Sequence, residues 1–262
     1  MRKLLWISAC ALSATAHAQA PRTVAAPIDR YFTLARAEYS GERAKELVAY
    51  MGGWFRWPGN TAFDKSLDRV IQQLHAAGYV PEDSAGKSTL LTYRVERRPL
   101  RGPAWDLVDA SLTIVGDKAP LLKLATNLNM LAINSWSTPD SGVVAELVDV
   151  GKGTAADYDK AKVAGKIVLV ENGVSAGFAE AVQKRGAVGV LAYRMPAYTK
   201  PEINRSSIQF SSIPMDSAKK GWGMPISRGA LDSLRSTLSH GPVRVRAMAK
   251  TKLFPSIERT VV

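Results

Sequence analysis

The 262-residue chain carries 35 Lys plus Arg against 23 Asp plus Glu, a formal charge of +12, with three His, one Cys and 46% apolar residues. That balance lets it bury a core and excludes intrinsic disorder, and the length fits one or two domains. A single Cys excludes a disulfide scaffold and a thiolate metal cluster, and three His leave little room for a catalytic zinc site, which usually draws two or three imidazoles from one chain.

Residues 1–20, MRKLLWISACALSATAHAQA, read as a secretory signal peptide: Arg2 and Lys3, an apolar stretch from Leu4 to about Ala16, then small residues spaced A-x-A. Cleavage fits after Ala18 or after Ala20. A lipoprotein signal at Cys10 is the rival reading, but it leaves only about six apolar residues before the cysteine, below the roughly 7–15 of an h-region. Cleavage after Ala20 removes Arg2, Lys3, Cys10 and His17, leaving His75 and His240 as the only histidines. No later stretch has the ~18–20 consecutive apolar residues of a membrane span. The expectation is an exported protein, periplasmic or secreted, with no transmembrane span.

Helical periodicity runs from Ile28 to about Gly78. Glu46–Tyr50 carries one apolar face, and Phe63, Leu67, Val70, Ile71 and Leu74 recur at spacings of three and four, predicting an amphipathic helix that Asn60-Thr61 caps and Gly78 ends. Between the two helices lies MGGWFRWPGN, residues 51–60. Its Trp54, Phe55, Arg56 and Trp57 could form an aromatic, cationic lip over a peptide, or bury themselves against an adjoining domain. Trp54, Arg56 and Trp57 are therefore the candidate substrate or interface contacts.

The period then changes to that of strands, over Leu90–Glu96, Ala110–Val115 and Val143–Val150. A buried-looking strand at 165–170, a helix from about Ala176 to Arg185 closed by Gly186, and a strand from Ala187 to Tyr193 predict a βαβ crossover with parallel strands. A helix over 229–238 with Ser227 or Arg228 near its cap, a strand from Val243 to about Lys252, and the start of another at 257–262 complete the expectation. Val261-Val262 closes on β-branched residues with no polar tail, from which further chain is expected after Val262.

Segment 165–193, GKIVLVENGVSAGFAEAVQKRGAVGVLAY, resembles the core of a protease-associated domain, with a GKIVLV strand, a turn, a helix near a Phe and a GAxGVL strand. Flanks 145–151 and 213–250 resemble its opening and closing parts. The order of a helical start, a loop ending Gly59-Asn60, a β segment, this domain and ERTVV is similar to secreted members of metallopeptidase family 28, the di-zinc aminopeptidases and carboxypeptidases. The resemblance implies an α/β fold with a helical N-terminal region, a mixed β segment and a protease-associated domain containing a βαβ unit. The expected divisions are a signal peptide over 1–20, a helical and β region over 21–137, the protease-associated domain over 138–250, and the start of a catalytic domain over 251–262.

For the full-length family the resemblance implies two zinc ions, held by His, Asp and Glu ligands that include an H-x-D element and a Glu-Glu pair. Here Ala77 and Pro242 stand where His75 and His240 would need Asp. The chain is therefore expected to hold no cofactor, to have no catalytic residue of its own and to be inactive alone. Its implied partner is a peptide or protein substrate, and its implied role is substrate access or peptide binding. The alternative is a stand-alone exported binding module.

A serine-hydrolase reading rests on Gly173-Val174-Ser175-Ala176-Gly177, which matches G-x-S-x-G between a strand and a helix, with Asp216 or Asp232 and then His240 following in chain order. Against it, an α/β-hydrolase should supply several sheet strands and an oxyanion loop before the elbow, and the HGGG-type loop is absent; a plain turn with Ser175 near the helix cap accounts for the motif. Gly86-Lys87-Ser88 lacks the first glycine of a phosphate loop, since Pro81 stands there. His75 is expected at the edge of its helix's apolar face and His240 at the end of the last helix. The cations are dispersed over Arg94, Arg97, Arg98, Arg101, Lys219, Lys220, Arg244 and Arg246. Arg244 and Arg246 alternate with Val243 and Val245, which places them on a solvent face and argues against nucleic-acid binding.

Overall fold

The computed structural model describes residues 26–262, so the signal peptide expected over 1–20, with Cys10 and His17, lies outside the described residues. The chain forms two units, 1–49 and 50–262. Of the first, the described residues form α1 (Ala26–Glu38) and most of α2 (Gly41–Gly52).

In the second unit, α3 (Thr61–Ala76) begins as its sequence predicts: the Asn60 side chain accepts a hydrogen bond from the Phe63 amide at 2.7 Å. Gly78, at φ +87°, lets the chain turn out of the helix. Strand structure over 90–96 is more broken than the alternation predicts. Leu90 is 93% exposed, β1 (Val80–Pro81) pairs in parallel with β2 (Thr92–Tyr93), and β3 (Val95–Pro99) starts a separate ladder. That ladder is closed by β11 (Ile257–Val261), whose Val261 lies opposite Val95.

The main sheet has seven strands in the order β5-β4-β10-β6-β7-β8-β9. They are β4 (Ala104–Ile114), β5 (Leu122–Lys123), β6 (Val143–Asp149), β7 (Ile167–Val170), β8 (Gly189–Ala192), β9 (Gly223–Pro225) and β10 (Val243–Phe254). β6 to β9 run parallel to one another, and β10 is antiparallel to both β4 and β6. Alternation decides the faces. On β7, Ile167 and Leu169 join the core that includes Trp105, Trp222 and Leu231, while Val168 and Val170 join the one around Phe178 and Tyr158. Both faces are covered, which is why this strand reads as an unbroken apolar run.

The helix after β7 starts earlier than its sequence suggests. α5 (Val174–Gly177) passes into a π-helical stretch (Phe178–Lys184) and packs Val174, Phe178, Ala181 and Val182 on one face of the sheet. α6 (Arg228–Leu238), capped by Ser227, packs Ala230, Leu231 and Leu234 on the other. The βαβ unit and the α/β architecture are as expected. α4 (Ala155–Ala161) is an addition, opened by a capping box between Thr154 and Asp157. As predicted, Arg244 and Arg246 share the exposed side of β10 while Val243 and Val245 are buried.

Arg235 ties α6 to the ends of β6 and β7, its Nε donating to Asp149 at 2.7 Å and its Nη1 to Glu171 at 2.9 Å. Glu171 also accepts from Lys152 at 2.5 Å, and these bonds, Lys152's first, hold its pKa below the ordinary 4.5. A carboxyl lowered by folding contributes stability above its unfolded pKa and loses it as pH falls through the folded value. Glu171→Gln is therefore expected to cost about 1 kcal/mol near pH 7. It should also flatten the loss of stability on acidification below about pH 5. Thermal unfolding across that pH range reads both, and equal slopes for variant and parent would contradict the assignment.

Candidate functional site

Loop 53–60 is fixed at both ends of its aromatic run. The Phe55 ring meets Trp105 edge-on at 5.5 Å and 77°, and the Phe55 carbonyl accepts from Asn60 Nδ2 at 3.1 Å. Trp105, 1% exposed, donates through Nε1 to the Ser135 carbonyl at 2.8 Å. Ser135 in turn accepts through Oγ from the Gly223 amide at 3.2 Å, so the loop is linked by stacked and hydrogen-bonded groups to edge strand β9. Gly59 (φ +79°) closes the loop where a Cβ would stand 2.5 Å from Leu100 Cδ1.

With Phe55 turned inward, its neighbours face out. Trp54 and Trp57 are 43% and 38% exposed, and Arg56 is exposed. Of the two readings of this cluster, packing describes Phe55, while Trp54, Arg56 and Trp57 remain open to solvent. Lys65 of α3 places its ammonium 5.1 Å from the Trp54 ring. Two cavities flank the loop. One, about 400 Å³, lies between Trp54, Lys65 and Asp106; the other, about 440 Å³, is lined by Trp54, Arg56, Trp57, Leu128 and Phe210.

A third cavity, about 530 Å³, opens beyond the ends of β7, β8 and β9, where a parallel sheet commonly receives ligands. Asn172, Gly173, Ser175, Arg194, Gln209, Phe210 and Ser211 are among its walls. Phe210, 58% exposed, borders both this cavity and the one beside Trp57. Arg194 and Phe210 are the residues that sequence reasoning missed. The usable signal for Arg194 was its position just past the strand ending at Tyr193; nothing local marked Phe210.

Ser175 lies in this cavity but not in a triad. It is exposed in the first turn of α5, where Gly173, not Ser175, is the cap. His240 Nδ1 lies 2.7 Å from the Ser236 carbonyl at the end of α6. Asp232 is engaged by Arg205 and Arg228, and Asp216 by Gln183 and the amides of Ala218 and Lys219. None of these three lines the Ser175 cavity. Without a base in reach the hydroxyl is not an activated nucleophile.

The described residues do not fit zinc. His75 Nε2 lies 2.5 Å from the Tyr93 hydroxyl, His240 caps a different element, and no group of three or more His, Cys, Asp or Glu gathers among the described residues. A di-zinc centre needs several such ligands converging. No helix among the described residues is long and apolar enough to cross a membrane.

The parallel run from β6 to β9, with α5 on one face, spans the segment that a family model for the PA domain matches, residues 143–224. This segment is thus similar to a PA domain. It contains the GKIVLV strand and the βαβ unit that carried the resemblance, and β4, β5 and β10 extend its sheet. The fold as a whole is similar to a peptidase M28 precursor from Shewanella amazonensis SB2B, at 15% identity and TM-score 0.55, over 89% of this chain and 52% of that one. It is also similar to BSAP, a zinc aminopeptidase from Bacillus subtilis, at 17% identity and TM-score 0.50, over 83% of this chain and 46% of that one. The chain thus spans about half the length of these structures. No curated protein matches it.

Proposed function

We propose that this chain is the non-catalytic, PA-domain-bearing portion of an exported zinc exopeptidase, and that it binds peptide at the face formed by Trp54, Arg56, Trp57 and Phe210. The hydrolytic step, with its two zinc ions, belongs in this reading to a catalytic domain that these residues do not make. The observation that carries it is the PA domain within a fold shared with about half of a peptidase M28 precursor. The open aromatic loop supports the binding role, because Trp gives large contact area at small entropic cost and both Trp and Arg are enriched among binding hot spots. Export is proposed on the signal-like segment 1–20.

Purified chain is expected to bind unstructured peptides in the micromolar range and to show no turnover of aminoacyl or carboxy-terminal chromogenic substrates with added zinc. Fluorescence anisotropy and a peptidase assay, each with and without chelator, measure the two halves. Chelator-sensitive turnover by this chain would overturn the non-catalytic assignment, and absence of peptide binding would overturn the binding role.

A further inference from the structure

We propose that the cavity beside Ser175 selects acidic peptides, with the Arg194 guanidinium receiving a glutamate or aspartate side chain while Phe210 and Trp57 hold neighbouring apolar residues. This deepens the peptide-binding reading above and rests on it. Three observations converge. The charged side chains lining this cavity and the adjoining one are Arg194 and Arg56, with no carboxylate among the walls of either. Neither arginine makes an ion pair among the described residues, whereas Arg185, Arg205, Arg228, Arg235 and Arg259 all do. Phe210 belongs to both cavities, so an extended peptide lying across it reaches an aromatic surface on one side and a guanidinium on the other.

The local geometry keeps Arg194 available. Its Nη1 would stand 3.5 Å from a Cβ at Gly173, which places the guanidinium beside the turn that walls the cavity. Glu171, the acid two residues before Gly173, is already satisfied by Lys152 and Arg235 and does not compete. The other polar walls, Asn172, Ser175, Gln209 and Ser211, are neutral and can complete the hydrogen bonding of a carboxylate. A planar guanidinium pairs with a carboxylate through two parallel bonds, which an ammonium cannot reproduce.

The test uses a fluorescein-labelled, C-terminally amidated peptide carrying phenylalanines and several glutamates, beside a copy with glutamine at every glutamate. The parent chain should bind the glutamate peptide about tenfold more tightly. Arg194→Gln should reduce that ratio to near one with unchanged thermal unfolding, Arg194→Lys should leave an intermediate ratio, and Arg244→Gln on the exposed side of β10, outside both cavities, should leave it as in the parent. Equal binding of the two peptides by the parent, or a preference that survives Arg194→Gln, would overturn the acidic selectivity while leaving peptide binding intact. A preference seen only when the C-terminus is left free would assign Arg194 to a terminal carboxylate and overturn the side-chain assignment. If neither peptide binds, the peptide-binding reading itself fails.

Discussion

Replacing Trp105 by alanine is expected to lower stability by roughly 3–5 kcal/mol, the cost of emptying a large buried site. For a chain of this size that is a fall in Tm on the order of 10 °C. Trp105 is 1% exposed at the start of β4, its ring supports Phe55, and its Nε1 satisfies the Ser135 carbonyl. Trp105→Phe separates packing from hydrogen bonding. The Ser135 carbonyl also accepts from Thr251 Oγ1 at 3.1 Å, so it is not orphaned, and the loss should be only about 1–2 kcal/mol. Because Phe55 rests on this ring, the alanine variant should also free loop 53–60, visible as a red shift in the emission of Trp54 and Trp57. Unfolding monitored by circular dichroism and by fluorescence measures the two effects. A Trp105→Ala protein as stable as its parent would contradict this core.

Much of this arrangement is legible in the sequence because its signals are local. The alternation of buried Val243, Val245, Ala247 and Ala249 with exposed Arg244, Arg246 and Lys250 marks β10, and the run Ile167–Val170 marks a strand covered on both faces. Asn60 and Ser227 announce the caps of α3 and α6. What was not legible depends on pairing at a distance. β5, with two residues, and β9, with three, have too few side chains to show a period and become strands because β4 and β8 offer them an edge. β10 lies between β4 and β6, with Val245 opposite both Ile114 and Ala145, a placement that no window of sequence contains. α4 carries Tyr158 as its only buried residue, too little for a periodic signal, although its capping box could have been read.

The site divides in the same way. The aromatic run 54–57 stands out in the sequence, but which of its members turns inward is decided by Trp105, some fifty residues away. Arg194 and Phe210 join it only because β8 ends and the loop before β9 returns beside the aromatic loop. The G-x-S-x-G match was a false lead for the converse reason: its residues have the right local order, but the fold sends Asp216, Asp232 and His240 to other surroundings.

The second large effect concerns binding. Trp54 and Trp57 leave much of their ring surface open and wall the cavity beside Phe210, so a peptide lying there exchanges water for aromatic contact. Removing two such anchors typically costs about 2 kcal/mol or more each, though such losses are seldom additive. The double variant Trp54→Ala/Trp57→Ala should therefore weaken peptide binding by about two orders of magnitude. Stability should change little, because it is Phe55 that packs against the buried Trp105. The most direct measurement is isothermal titration of the purified chain and this double variant with the same unstructured peptide, alongside their thermal unfolding. A measurable micromolar Kd is expected in the parent, with a loss of about a hundredfold in a variant that unfolds at nearly the parent's temperature. Equal affinity in a folded double variant would contradict this expectation, because peptide would then be bound somewhere other than this loop.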